Sequence, residues 1–262
     1  MEKISRTIIG PESGFVCLSK SPQPSVILKR GTESFQSHSL SDRGESAVCN
    51  AACILFGFRS ISASEVAGKR VLEIGSADRN GSLRPIIESY RPREYVGIDV
   101  EPGPGVDRVV EAGQIAQVFG EESFDLVVST ETLEHIRDWR GAISNIKRAC
   151  KRGGVILLTT RSIGFPYHGY PYDFWRFEPE DVRAIFSDMD IVRMERDSEL
   201  TPGVFAKIRK PVDFRENGLS NHELYSIVAG TRVRQLDGTR TRKFVFLKGI
   251  AWKVDRLTSK LL

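Results

Sequence analysis

The sequence predicts an α/β fold: a doubly wound, mainly parallel sheet of about seven strands with helices on both faces. Three observations carry that expectation. Short apolar runs alternate with segments of helical periodicity from residue 70 to residue 186, the rhythm of strand–helix crossovers. The runs are continuously apolar, as strands covered on both faces are. The first of them stops at a glycine turn that opens a helix. With 262 residues, 40% hydrophobic and 27% charged, the chain can bury a large core and has an ordinary globular composition.

The elements follow in order. Gly14-Phe-Val-Cys-Leu18 and Ser25-Val-Ile-Leu28 flank a proline-rich turn and read as a hairpin or extended arm within residues 1–41. From Asp42, a capping residue, to about Phe58, the spacing of Ala47, Val48, Ala51, Ile54, Leu55 and Phe58 predicts an amphipathic helix. Arg70 to Gly75 is the first strand. Val71, Leu72 and Ile74 are apolar there, and Glu73 is a charge whose burial needs a partner. Gly75 and Gly81 bracket a polar turn, and Leu83 to Tyr90 is the next helix. Tyr95–Asp99, Val106–Glu111, Phe124–Ser129 and Gly154–Thr160 are strands two to five. Trp139 to Cys150 is helical, with Ile143, Ile146 and Ala149 on one face, and Gly153-Gly154 turns it into strand five. Glu178-Pro-Glu-Asp opens a helix to Phe186, with acidic residues at its positive end. Asp190–Arg196 and Gly203–Arg209 close the sheet as an antiparallel pair, so the main domain spans 42–210. Leu224–Ala229 adds a strand or docks on an edge.

The strand, glycine turn and helix at 70–90 turn backbone N–H groups toward a ligand, a Rossmann-like nucleotide edge. A dinucleotide fingerprint would also place glycine at 77 and 80, where Ala77 and Asn80 stand. The methyl of Ala77 opposes the close approach of a pyrophosphate, so a nicotinamide oxidoreductase is disfavoured. Glu73 and Asp99, the latter 24 residues beyond Gly75, suit a cationic cofactor that carries a ribose.

Leu72-Glu-Ile-Gly75 followed by Asp99 resembles class I S-adenosylmethionine-dependent methyltransferases, with Ala77 and Arg79 where most members have glycine. Phe124-Asp-Leu-Val-Val-Ser-Thr-Glu-Thr-Leu-Glu-His135 and Ile146-Lys-Arg-Ala-Cys-Lys-Arg-Gly-Gly154 are similar to the type 11 group of these enzymes. Asn80-Gly-Ser-Leu-Arg84, Gly103-Pro-Gly-Val-Asp107 and His168-Gly-Tyr-Pro-Tyr-Asp-Phe-Trp-Arg176 resemble one branch of it. The resemblance covers about residues 68–210. It implies S-adenosylmethionine as cofactor. Glu73, Gly75 and Ser76 would line its methionine end and Asp99 would hold the ribose. Glu111 and the Ala112 backbone would meet the adenine, and Ser129 would close the pocket near the sulfonium.

Ile163 to Phe177 holds seven aromatic residues interleaved with His168, Asp173 and Arg176, directly after strand five. Rings offer stacking surface, and the polar groups can orient a substrate. His168 is the candidate base for a hydroxyl acceptor, and Asp173 is its orienter or the alternative base. Against this, the rings could form a satellite core and Asp173–Arg176 a structural pair. His135, after strand four, has a packing role or a chemical one. The branch implies O-methylation of a hydroxyl on a saccharide or small-molecule metabolite. The alternative is a catalytically silent S-adenosylmethionine-binding or scaffold protein.

The net charge of +4 argues against a dedicated nucleic-acid binder, so no nucleic acid is expected as a partner. Cys17, Cys49, Cys53 and Cys150 form neither a disulfide framework nor a ligand set, and no metal is expected. The start lacks an apolar signal core and no run reaches membrane-spanning length, so a cytoplasmic setting is expected. Residues 211–262 read as a basic extension, dispensable for cofactor binding, with nine basic and two acidic residues from Arg232 onward. Leu247, Ile250, Val254, Leu257 and Leu261 share one helical face there. Docking of that face on the core is the default, and contact with a membrane surface or partner is the sharper option.

Overall fold

The computed structural model describes residues 51–258 apart from Asn80 and Tyr170, with side chains as far as Ala251. The expected arm, Cys17, Cys49 and the start of the leading helix lie outside the described residues. In chain order the elements are α1 (Ala51–Ser60), α2 (Ala63–Val66), β1 (Arg70–Ile74), α3 (Arg84–Ser89), β2 (Glu94–Asp99) and β3 (Arg108–Val109). Next come α4 (Ile115–Phe119), β4 (Phe124–Thr130), α5 (Trp139–Ala149), β5 (Cys150–Arg161), β6 (Trp175–Arg176) and α6 (Pro179–Ile185). Then follow β7 (Asp190–Arg196), β8 (Gly203–Arg209), β9 (Leu224–Ser226), β10 (Thr231–Val233) and α7 (Gly238–Thr258).

Seven strands form one sheet in the order β3-β2-β1-β4-β5-β8-β7. β1 to β5 run parallel, and β8 is antiparallel to both β5 and β7. The expected Rossmann-like sheet with its closing antiparallel pair is therefore the observed one. Two strands differ in extent. β3 is only two residues long, because the chain from Gly103 to Asp107 folds against β2 and the loop after β1 before it can pair. β5 starts at Cys150, opposite Phe124, and then slips so that Leu126 pairs with Val155. Gly153, at φ +75°, and Gly154, whose Cβ would meet the Asp125 carbonyl at 3.0 Å, sit inside that bulge and not in a helix-to-strand turn.

Each face of the sheet is covered. Cys53, Phe56, Ile61, Val66, Leu83 and Ile87 pack on Val71, Leu126, Val128 and Leu157 on one face. Ile115, Trp139, Ile143, Ile146, Val182 and Ile185 pack with Leu72, Val127 and Ile156 on the other. The alternation of these strand residues between faces follows from the two-residue strand period. Asp138 caps α5 by accepting from the Gly141 N–H at 3.1 Å. At the other end of α5, buried Lys210 Nζ donates to the carbonyls of Lys147 and Cys150, at 2.9 and 2.7 Å. Cys53 and Cys150 are buried, and burial pushes the Cys150 thiol up to about 12.

Beyond Lys210 the chain continues to pack on this core. Leu224, Val228 and Leu236 join the cluster that contains Trp139 and Ile143. β9 pairs with β6 and β10 in a small second sheet. Arg140 donates to the carbonyls of Leu219, His222 and Arg234, and Arg232 makes a forked pair with buried Asp181 at 2.7 and 2.9 Å. α7 packs on the protein, but not through Leu247 and Ile250, the two residues of the expected stripe whose side chains are described. It meets the protein through Phe244, whose ring lies 5.6 Å from that of Tyr167, while Phe246, Leu247 and Ile250 are exposed. Among the described residues no helix is long and apolar enough to cross a membrane.

Because Leu224 is fully buried in the core cluster with Trp139, truncating it to alanine is expected to cost about 2–5 kcal/mol in urea unfolding. A loss under 0.5 kcal/mol would show that residues 211–236 are an appendage.

Candidate active site

Parallel strands end together, and the loops after β3, β2, β1, β4 and β5 line one edge in that spatial order. At the end of β1 the Gly75 and Ser76 N–H groups both donate to the Ile98 carbonyl, at 2.9 and 3.0 Å. Gly75 has φ +74°, and a Cβ there would run into the Thr132 side chain. Glycine is required on both counts. Gly97 is equally confined: a Cβ would strike the Gly105 carbonyl and lie 2.7 Å from Ser76 Oγ. Its N–H donates to Asp107 Oδ2 at 2.6 Å, and Arg84 grips the same carboxylate at 3.0 Å. Asp107 thus fastens the 103–107 loop over the end of β2.

Glu73 is buried, with Tyr95 Oη donating to it at 2.8 Å and Ser82 Oγ at 3.4 Å. Burial raises its carboxyl to about 7, against the opposing effect of the two hydroxyls. Asp99 stands half-buried at the end of β2, where Oδ2 accepts from the Ala77 N–H at 3.3 Å and Oδ1 from Val100 at 2.7 Å. Glu111 is exposed at the start of the turn Ala112–Gln114, and Ala112 is buried. Ser76 Oγ and Ser129 Oγ are buried and have no hydrogen-bond partner among the described residues.

A second group of polar residues begins where β4 ends. Glu131 adopts φ +51°, its N–H held by the Thr159 carbonyl at 3.0 Å and its carboxylate paired with buried Arg161. The turn Leu133–His135 follows. Glu134 is fully buried and accepts from Thr160 Oγ1 at 2.8 Å through one oxygen. His135 Nδ1 meets the Tyr172 carbonyl, and burial lowers its imidazole below the ordinary range. From the loop after β5, His168 Nδ1 lies 3.1 Å from Asp173 Oδ2, and the His168 N–H donates to the same oxygen at 2.9 Å. Asp173 also receives a forked pair from Arg176, at 2.5 and 2.9 Å. Burial alone would raise the Asp173 carboxyl. The bonds from Arg176 and His168 outweigh that and hold it well below the usual carboxylate range. The aromatic segment divides: Phe174, Trp175 and Phe177 are core, whereas Tyr172 is exposed and Phe165 and Tyr167 half-buried.

A family model described as a methyltransferase domain matches residues 55–197, more than half of the chain. The chain belongs to the methyltransferase-domain family. No curated protein matches it. The S-adenosylmethionine dependent methyltransferase from Mesorhizobium loti is similar at 14% identity, over 61% of this chain and 99% of that one, with a TM-score of 0.47. The N-methyltransferase NodS from Bradyrhizobium japonicum WM9 is similar at 20% identity, over 59% and 92%, with a TM-score of 0.46. The 1,6-didemethyltoxoflavin-N1-methyltransferase from Burkholderia thailandensis is similar at 12% identity, over 64% and 80%, at 0.47.

The cofactor of a methyltransferase of this family is S-adenosylmethionine, and the β1–β2–β4 edge fits it. Two buried serine hydroxyls there, on Ser76 and Ser129, lack hydrogen-bond partners among the described residues, as groups awaiting a ligand would. A carboxylic acid with its pKa near 7 stands where a cationic group would favour its ionised form. The fold brings Glu73, Gly75, Ser76, Asp99 and Ser129 to three adjacent strand ends, Glu111 and Ala112 to the next loop outward, and His168 and Asp173 to the far side. Sequence reasoning gave no role to Asp107, Glu131 or Glu134. The carboxylates of Asp107 and Glu131 resemble any loop acid until their long-range partners are seen.

The raised Glu73 pKa fixes a sign for pH dependence. The folded protein keeps this proton up to about pH 7, whereas the unfolded chain releases it near the ordinary 4.5. The contribution to stability is therefore complete below about pH 4.5 and is lost as pH rises through 7, by about 3 kcal/mol. Urea unfolding at pH 5 and pH 8 should show a larger decline in the native protein than in Glu73→Gln. Equal declines would mean that Glu73 ionises normally.

Proposed function

We propose that the protein transfers the methyl group of S-adenosylmethionine to a hydroxyl of a saccharide or small-molecule metabolite. The observation that carries this is the order along one sheet edge: confined glycines and, among the described residues, serine hydroxyls without partners at β1, β2 and β4, and the Glu134–His135–His168–Asp173 group beside them at β4 and β5. When bound, S-adenosylmethionine supplies a methyl group on a sulfur already activated to leave. The chain's own residues align the acceptor with it and exclude water. Ionised Glu73 and Ser76 hold the methionine end, Asp99 the ribose, Glu111 and the Ala112 backbone the adenine, and Ser129 faces the reacting centre. His168 meets the acceptor hydroxyl, with its ring oriented by Asp173. Asp173 is the orienter and not the base, because both its oxygens are engaged by Arg176.

Exposed Tyr172 gives a sugar or small ring a stacking face. The small net charge of +4 supports a small acceptor over nucleic acid. Exposed Phe246, Leu247 and Ile250 on α7 support contact with a membrane surface or partner, in a cytoplasmic setting.

In calorimetry, Asp99→Ala should weaken S-adenosylhomocysteine binding by roughly 30- to 150-fold, the loss of about 2–3 kcal/mol of charge-assisted hydrogen bonding. Unchanged affinity would remove Asp99 from the site.

With labelled S-adenosylmethionine and pooled glycans and metabolites, His168→Ala should keep cofactor affinity and lose roughly 10²- to 10⁴-fold in turnover. Binding without transfer to any acceptor would favour the catalytically silent reading.

A further inference from the structure

We propose that Glu134, His135 and His168 hold a divalent transition-metal ion of the zinc class at the acceptor end of the sheet edge. One ligand atom from each of the three lies within 4.8 Å of the others. His168 Nε2 stands 3.8 Å and His135 Nε2 4.0 Å from the same carboxylate oxygen, Glu134 Oε1. Those separations are too long for hydrogen bonds and close to the spacing of neighbouring ligands around one small ion. A fraction of an ångström of inward movement at each residue would close the set.

Three further features point to an ion. Glu134 Oε1 is fully buried and accepts no hydrogen bond among the described residues, although the other oxygen of that carboxylate is satisfied by Thr160. An unsatisfied buried carboxylate oxygen is costly unless something cationic meets it. Both imidazoles are held through Nδ1, His135 by the Tyr172 carbonyl and His168 by Asp173, so that each turns Nε2 inward. Ring nitrogens anchored by a carbonyl or carboxylate are the usual outer shell of a metal-bound histidine. Neighbouring Glu131 does not compete, since it is paired with Arg161.

Two imidazoles and one carboxylate favour a zinc-class ion over magnesium or calcium, and three protein ligands leave coordination positions open. Partial exposure of the His135 side chain gives access from one side. The catalytic consequence rests on the methyltransferase reading. A hydroxyl oxygen placed on the open position would release its proton to solvent more readily and keep its lone pair for the methyl group. His168 would then act as a ligand to the ion and not as a free base. The ligands are adjacent in one turn and 33 residues away in another loop, a spacing that matches no sequence motif for metal.

The test uses the full chain stripped of metal and titrated with Co²⁺, followed by visible absorption and by Zn²⁺ competition. One Co²⁺ per chain should bind with a d–d band that Zn²⁺ abolishes. His135→Ala and Glu134→Gln should each weaken binding by roughly 100-fold or more. Circular dichroism and S-adenosylhomocysteine titration should show these variants to be folded. If Glu134→Gln does not fold, His135→Ala decides, because that side chain is partly exposed. Absence of a band in the native protein, or the same affinity in His135→Ala, overturns the ion site. Co²⁺ binding by a chain that ignores S-adenosylhomocysteine would sustain the ion site and overturn the methyltransferase reading. S-adenosylhomocysteine binding with no ion would do the reverse.

Discussion

The contact on which the site depends is the one between Gly75 and Thr132. Gly75 takes a left-handed conformation at the end of β1, and Thr132 fills the space its missing side chain leaves, with Oγ1 donating to the Ile74 carbonyl at 3.2 Å. That packing presses the loop after β4 against the loop after β1. The loop carrying Gly75 and Ser76 and the turn carrying Glu134 and His135 therefore meet at this contact. Any side chain at 75 would both strain φ and separate the two loops.

Beyond this contact, buried charge holds the loops after β4 and β5 in place. Glu131–Arg161 and Asp173–Arg176 are nearly or completely removed from solvent, and Arg161 reaches on to Asp197 at 3.1 Å. Such pairs contribute little net stability once desolvation is counted, but removing one partner leaves a charge stranded. They fix geometry. Asp173 locks the His168 ring, Arg161 locks the left-handed Glu131 turn, and Glu134 and His135 follow directly from that turn.

Much of this was legible in the sequence, for physical reasons that also explain the rest. Strands β1, β2, β4 and β5 announce themselves because burial on both faces demands continuous apolar runs, and Gly75 and Asp99 mark where two of them stop. β3 is shorter than its pattern suggests, because Val106 and Asp107 look strand-like until the close approach of Gly97 and Gly105 is seen. Gly153-Gly154 reads as a turn and proves to be a bulge, a distinction set by the pairing of Phe124 with Cys150. The stripe through Leu247 and Ile250 suggested docking, but Phe244, off that stripe, makes the contact with Tyr167. Of the aromatic segment, composition could not say that Trp175 is core and Tyr172 is surface. Glu134 was invisible as a candidate because an acid beside a histidine in a short turn has no periodicity. Its significance lies in a contact with a residue of another loop.

The central claim is that the loops after β1, β2 and β4 form one cofactor site whose far end opens on His168. A crystal structure with S-adenosylhomocysteine tests it most directly. The account predicts the ribose hydroxyls on Asp99, the amino group within hydrogen-bond distance of Glu73 or its water, and the sulfur turned toward Ser129 and the His168 side. Ligand density elsewhere on the protein, or a ribose that does not touch Asp99, would contradict it.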